Sequence, residues 1–363
     1  MECRPNATRS GPFRNEEAKR DVNAAMSDSA LPPILCYVDD SLPGITRKAL
    51  KRGWAYFNPK GERITDRDEI DRLNAIGMPP AYVDCWFCPS PQGHIQATGY
   101  DAKGRKQYRY HASFRAGQEA DKYNRCAAFG RALPLLRARV ESDLQARALE
   151  RDTVVAAVIR LLDLGKVRVG NESYAKANKS YGATTLRRRH AELSPRRIKL
   201  QFRAKSGKMQ QLTISDRRLI RVARLCEDLP GQHLFQYLDE AGEAHPVGSG
   251  DVNAYLRETM GEAFTAKHFR TWGASVIAFE TLLEAPGTIS LKAMIAPVCE
   301  ALGNTPAIAR KSYVHPAIIE VVQNGGLPKG LKLPRRTKYL SGVERGLIEY
   351  LELVDPCERA EAA

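Results

Sequence analysis

No run of about twenty apolar residues occurs in the 363-residue chain, which excludes a helix spanning a bilayer. The opening stretch, "MECRPNATRSGPFRNEEAKRDVNAAMSDSALPP", lacks the apolar core of a secretory signal. It is polar, rich in small residues and charged in both signs, so residues 1–30 are expected to be a disordered arm. A second CxxC pair is also missing. Cys85 and Cys88 in "VDCWFCP" stand alone, whereas a structural zinc needs a second pair, so they are expected as buried strand cysteines. The eight cysteines are scattered, which fits free thiols in a reducing compartment. There is no GxxxxGK[ST] loop to cradle a nucleotide, no acidic cluster suited to magnesium and no internal repeat. Neither a cofactor nor a metal is therefore expected.

What the chain has is positive charge. Lysine and arginine number 56 against 42 acidic residues, a formal charge of +14, and this excess favours a polyanionic partner, nucleic acid first. A hydrophobic content of 43% is enough to build cores, and the length suits about two domains.

From Leu31 to Phe114 the pattern is mixed and β-rich. "GWAYFNPKGERIT" reads as two short strands about a turn at Asn58–Gly61, and "HIQATGYDAKGRKQYRYH" as a hairpin with "DAKG" at its tip. Alternation puts Tyr108 and Tyr110 on one face, expected in the core, and Gln107 and Arg109 on the other. The tip, with Lys103 and Arg105, is basic and expected to be exposed. Asp121 to Leu149 reads as helix, with Pro134 a kink or break. Arg151 to Leu164 is a clearer helix stopped by Gly165. A basic run follows, "KVRVGNESYAKANKSYGATTLRRRH", in which hydroxyl, amide and glycine residues accompany the cations; that blend suits phosphate contacts. "RRIKLQFRAKSGKMQQLTIS" reads as strand, turn, strand, with Lys205 near the tip. Asp216 is expected to cap the next helix, Ser249 or Asp251 another, and Thr265 a long one through "AKHFRTWGASVIAFETLLEA". Thr305–Pro306 starts a further helix. Residues 326–363 read as a basic, weakly helical tail.

For a phosphodiester substrate, the chain offers a complete set of groups. Tyr313 can serve as nucleophile, Arg168, Arg270 and Asn304 as donors to the non-bridging oxygens, and Lys205 as the acid for the departing oxygen. The arginine fork matches phosphate geometry and keeps its proton, whereas a lysine pKa falls near other cations. Spacing adds a constraint. A straight helix would hold Asn304 and Tyr313 about 13 Å apart and on opposite faces. If both reach one phosphate, the chain must fold back between them, and Thr305–Pro306 and Pro316 are plausible breaks.

"VRVGNESYAKANKSYGATTLRRRH", "FRAKSG", "TAKHFRTWGAS" and "LGNTPAIARKSYVHP", in that order, resemble the type IB DNA topoisomerases of the small poxvirus-like bacterial kind. "PPAYVDCWFCPSPQGHIQATGYDAKGRKQYRYH" is similar to their N-terminal domain, so the resemblance covers about Leu31 to Ile319. It implies an α+β protein: a small β-rich DNA-binding domain over 31–114 and a larger, mainly helical catalytic domain with a small β-hairpin or sheet over 115–325, closing as a C-shaped clamp. By position, Arg168 and Arg270 match the active-site arginines, Lys205 the hairpin lysine and Tyr313 the tyrosine that becomes joined to DNA. Asn304 falls where many relatives carry histidine, which leaves it an oxyanion donor without a titrating role. Tyr174 and Lys267 match residues that hold phosphates near the cut; Gln107 and Tyr108 match N-domain residues in the groove. The implied activity is relaxation of supercoiled double-stranded DNA through a 3′-phosphotyrosyl intermediate, without ATP, by a cytoplasmic, nucleoid-associated monomer. A tyrosine recombinase would share the tyrosine, arginines and lysine, but usually has histidine where Lys267 stands. A non-catalytic DNA-binding protein is the remaining alternative.

Overall fold

The computed structural model describes residues 35–261, 264–285, 287–327 and 331–354. The arm expected over residues 1–30 lies outside them. The chain divides into two units, with the boundary between Arg115 and Ala116.

The first unit is an antiparallel sheet. Its strands are β1 (Ile45–Ala49), β2 (Trp54–Phe57), β3 (Val83–Phe87), β4 (Ile95–Tyr100) and β5 (Lys106–Tyr110), in the order β2-β1-β3-β4-β5, with helix α1 (Arg67–Ala75) between β2 and β3 in sequence. Ile45, Tyr56, Leu73, Met78, Cys85, Phe87 and Ala97 form its core. Asp66 caps α1, its carboxylate accepting from the Asp68 amide. The Trp86 indole lies over Gly44, where a Cβ would stand 2.1 Å from Nε1. Cys85 and Cys88 are buried here, and burial pushes both thiols up.

One expectation fails in this sheet. Tyr108 and Tyr110 are not core residues but 43% and 46% exposed, and their rings stack at 5.9 Å. β5 is an edge strand, and the face that carries them meets other surface aromatics: Tyr110 also stacks on Phe114 at 5.6 Å, and Phe114 meets Tyr37 at 6.0 Å. Alternation placed the pair correctly on one face, but it cannot tell which face is covered.

The second unit is mainly helical. α2 (Ala112–Asn124) leads into it, followed by α3 (Cys126–Asp143), which runs through Pro134 without a break. α4 (Arg151–Gly165) is central: Val154, Val155, Val158, Ile159, Leu161 and Leu162 are all buried, so it is apolar around most of its girth. α5 (Glu172–Asn178) follows. Strands β6 (Ala191–Leu193), β7 (Ile198–Arg203) and β8 (Met209–Ile214) form a three-stranded antiparallel sheet. In β7, Ile198, Leu200 and Phe202 point inward in strict alternation. α6 (Arg217–Glu227) is capped by Asp216, as its sequence predicts. β9 (Gln236–Leu238) and β10 (Ala244–Pro246) pair, and α7 (Ser249–Met260) comes next. α8 (His268–Glu284), α9 (Leu291–Leu302), α10 (Pro306–Ser312) and α11 (Pro316–Gln323) complete the run towards the C-terminus. α8 starts three residues beyond the expected cap: the Thr265 amide donates to His268 Nδ1, so the imidazole ties down the approach to the helix.

The last described element, α12 (Gly342–Val354), lies in the stretch expected as a weakly helical tail. It packs on α3 and α8 and buries Leu347 and Leu351. A part-buried ion cluster fastens it. Arg137 of α3 donates to Asp163 at 2.8 Å, to Glu344 at 2.7 Å and to the Tyr339 carbonyl. Burial alone would lower the Arg137 pKa, and the two carboxylates reverse that. Removing one partner of such a cluster leaves charge buried without compensation. Glu344→Ala should therefore cost about 3 kcal/mol of stability, read from urea unfolding. An unchanged midpoint would show that α12 is held by its apolar contacts alone.

Candidate active site

The site is built from chain turns. Lys166, just past α4, adopts the left-handed conformation at φ 50°, and its amide still donates to the Leu162 carbonyl. This turn aims the chain at buried Val167 and then at Arg168. Returning residues hold the Arg168 backbone: the Ala183 amide donates to the Arg168 carbonyl at 2.8 Å and that of Thr184 to Val169 at 2.7 Å. Gly182 sits so close that a Cβ would lie 2.5 Å from the Arg168 carbonyl oxygen. Only glycine fits there.

Asn304 and Tyr313 converge through a break like the one their spacing demands. α9 ends in left-handed Gly303, at φ 66°, and the Asn304 amide donates to the Cys299 carbonyl. Thr305 caps α10, Pro306 takes its first position, and the helix ends after seven residues at Tyr313. Arg168 then reaches both residues. Its Nη1 donates to the Tyr313 hydroxyl at 2.8 Å and its Nη2 to Asn304 Oδ1 at 3.4 Å. Arg270, in the first turn of α8 and only 4% exposed, stands 4.8 Å above the Tyr313 ring. It donates to the Lys166 carbonyl and, at 3.0 Å, to that of Leu302.

Charge in this cluster is unbalanced. Among the described residues no carboxylate pairs with either guanidinium. Arg270 Nε and Asn304 Nδ2 are buried donors without a partner. Buried donors are almost always paired, so these two are exceptions to the usual pairing. Burial alone would raise the Tyr313 pKa; Arg270 and Arg168 outweigh it and hold the phenol below its ordinary 10.0.

The other expected site residues lie outside this hydrogen-bonded cluster. Lys205 is exposed at the tip of the β7–β8 hairpin, where Ser206 and Gly207 both have positive φ. Lys267 is exposed just before α8, and Tyr174 is exposed on α5. In the first unit Lys103 is exposed, whereas Arg105 pairs with Asp101 at 2.6 Å and Gln107 donates to the same carboxylate at 3.1 Å. Sequence reasoning missed Tyr123 and Ser275, which pin the Tyr313 segment: the Tyr123 hydroxyl donates to the Lys311 carbonyl at 3.0 Å, and Ser275 Oγ accepts from the His315 amide at 3.1 Å. It also missed the Lys166 carbonyl, because no side-chain motif reveals a backbone acceptor.

Comparison with known proteins identifies the family. Residues 111–311 match the family described as eukaryotic DNA topoisomerase I, catalytic core, and residues 53–101 that described as bacterial DNA topoisomerase IB, N-terminal domain. The DNA topoisomerase 1B of Acanthamoeba polyphaga mimivirus is 35% identical over 283 residues, covering 74% of this chain and 84% of that protein. The DNA topoisomerase 1B of Vaccinia virus (strain Copenhagen) is 23% identical over 229 residues, 62% of this chain and 72% of that protein. The matched regions define an isomerase that acts on DNA. The chain belongs to the type IB DNA topoisomerases, with an N-terminal domain of the bacterial kind. The catalytic-core match stops at residue 311, so the place of Tyr313 is read from its geometry. Among the described residues no helix is long and apolar enough to cross a membrane.

The balance of burial and charge at Tyr313 is directly measurable. An ultraviolet difference titration of the protein against its Tyr313→Phe variant isolates this phenol. Its midpoint should lie below 10.0 and rise when Arg168 is replaced by Gln. A midpoint at or above that value would mean that burial wins over the arginines.

Proposed function

We propose that the chain relaxes supercoiled duplex DNA by transient cleavage of one strand, with Tyr313 as nucleophile, acting as a monomer. The observation that carries this reading is the Arg168 guanidinium, hydrogen-bonded at once to Tyr313 and Asn304, with Arg270 over the phenol and, among the described residues, no carboxylate to neutralise them. A phosphate seated there meets the permanent charge of two guanidinium groups. The Asn304 oxygen accepts from Arg168, so the donor that this residue would turn towards a phosphate is its amide nitrogen, buried in the free protein.

The phenol loses its proton to water more readily than an ordinary tyrosine, because the cations favour the phenolate. Its oxygen attacks phosphorus. The bond to the 5′-oxygen breaks, that oxygen takes a proton from Lys205, and a 3′-phosphotyrosyl bond remains. The cut strand rotates about the intact one; the 5′-hydroxyl then returns its proton to Lys205 as its oxygen attacks phosphorus, the bond to the Tyr313 oxygen breaks, and the phenolate leaves the resealed strand. One phosphodiester is exchanged for another at nearly equal energy, so the cycle needs no ATP. Arg168, Arg270 and Asn304 stabilise the charge on the non-bridging oxygens in each direction. Lys267 and Tyr174 hold neighbouring phosphates. The β-rich unit completes a clamp on the duplex through Lys103, Arg105, Gln107 and Tyr108, the middle two exchanging Asp101 for DNA.

Plasmid relaxation in chelator without ATP, run beside Tyr313→Phe, tests the whole reading. The protein should relax the plasmid, and a denaturant quench should trap it on the 3′ end of a nicked strand. An adduct formed by Tyr313→Phe would reject the nucleophile.

Asn304 admits a sharper test. Loss of one preorganised donor in Asn304→Ala should slow single-turnover cleavage about 10²-fold. Asn304→His should keep much of the rate and acquire a decline as pH rises between about 5 and 8, because the imidazolium loses its charge there. Cleavage by Asn304→Ala at the parent rate would reduce Asn304 to a helix-end residue.

A further inference from the structure

One segment, residues 180–184, touches both Arg168 and the Lys205 hairpin. On one side its Ala183 and Thr184 amides hold the carbonyls of Arg168 and Val169. On the other, the Tyr181 amide donates to the Arg203 carbonyl at 2.9 Å, and the Ser180 hydroxyl donates to the Ala204 carbonyl at 3.0 Å. Arg203 and Ala204 are the two residues immediately before Lys205. Gly182, between these contacts, admits no side chain, so the segment lies flat against the Arg168 backbone.

The hairpin tip needs such support. Ser206 adopts φ 64° and ψ 20°, a left-handed conformation that a serine rarely takes and keeps only when its surroundings fix it. Within the hairpin, the Ala204 amide donates to the Lys208 carbonyl at 2.7 Å and the Gly207 amide to the Ala204 carbonyl at 3.1 Å. These bonds close the turn on itself but do not say where it stands. Among the side chains described, Ser180 supplies the external bond to the Ala204 carbonyl, next to the peptide that carries Lys205.

We infer that Ser180 is a positioning residue for Lys205: through the Ala204 carbonyl it fixes the hairpin tip relative to the Arg168 segment, so that the ammonium meets the 5′-oxygen of a phosphate bound by Arg168. The inference rests on Lys205 as the proton donor. In the step concerned, the phosphorus–O5′ bond breaks with its electron pair on the oxygen, and that oxygen takes the Lys205 Nζ proton. A misplaced acid slows this step alone, since the nucleophile and the two arginines stay where they are.

The test uses the full chain and two duplexes carrying a cleavage site mapped through the covalent adduct. One has the natural 5′-bridging oxygen, the other sulfur, a leaving group that needs little protonation. Single-turnover cleavage is measured for the parent, Ser180→Ala, Ser180→Thr and Lys205→Ala. On oxygen, Ser180→Ala should be slowed about tenfold, as expected for displacement of a reacting group by a fraction of an ångström to an ångström. On sulfur it should come within about twofold of the parent, because the acid is no longer needed. Ser180→Thr, which keeps the hydroxyl, should match the parent on both duplexes. Equal slowing of Ser180→Ala on both would mean a general loosening of the site and overturn the inference, as would the parent rate on oxygen. Lys205→Ala separates the two layers of the argument. If sulfur fails to rescue it, the acid assignment falls and takes the role of Ser180 with it. If sulfur rescues Lys205→Ala but not Ser180→Ala, the acid assignment stands and only the positioning role is lost.

Discussion

Two guanidinium groups lie against one phenol with, among the described residues, no carboxylate between them, and much of the second unit is arranged to make that tolerable. A buried cation normally calls for an anion, and placing one here would cancel the positive charge of the cluster. Arg270 is instead held by two main-chain carbonyls, those of Lys166 and Leu302. Carbonyl dipoles hold a guanidinium in place without neutralising it. Arg168 is held by its bonds to Tyr313 and Asn304, both of them neutral partners when the phenol is protonated.

The carbonyls must in turn be fixed. Lys166 serves both arginines at once: its backbone oxygen accepts from Arg270, and its left-handed turn delivers the chain to Arg168 two residues later. Its side chain packs across Gly273 of α8, where a Cβ would come within 2.9 Å of the lysine methylenes. The Arg137, Asp163 and Glu344 charges surround its ammonium, while burial lowers the Lys166 pKa. The ion cluster that fastens α12 is thus adjacent to the residue on which the arginines depend.

The convergence of the site residues was more legible in the sequence than the packing. Arg168, Arg270, Asn304 and Tyr313 carry distinctive groups in a distinctive order, and the structure brings these four together. The fold-back between Asn304 and Tyr313 could be argued from helix geometry alone, and Gly303 with Thr305–Pro306 supplies it. Elements whose fate depends on a distant neighbour were harder to read. Tyr108 and Tyr110 have the alternation of core residues, yet β5 is an edge and leaves their face open. The start of α8 was misplaced because His268, not Thr265 alone, organises its first turn. The burial of α12 rests on α3, some two hundred residues earlier, and local periodicity carries no record of such a partner.

Those separations bear on the order of events during synthesis. Arg168 and Tyr313 are 145 residues apart, and Arg137 and Glu344 are 207 apart. A growing chain exposes its arginine-bearing half long before the tyrosine leaves the ribosome, and the brace from α12 emerges later still. Both arginines are therefore made before the phenol that they contact. A chain ended before Tyr313 lacks both the phenol and the α12 brace, so the Arg168–Tyr313 and Arg137–Glu344 contacts can close only when almost all of the chain has been made.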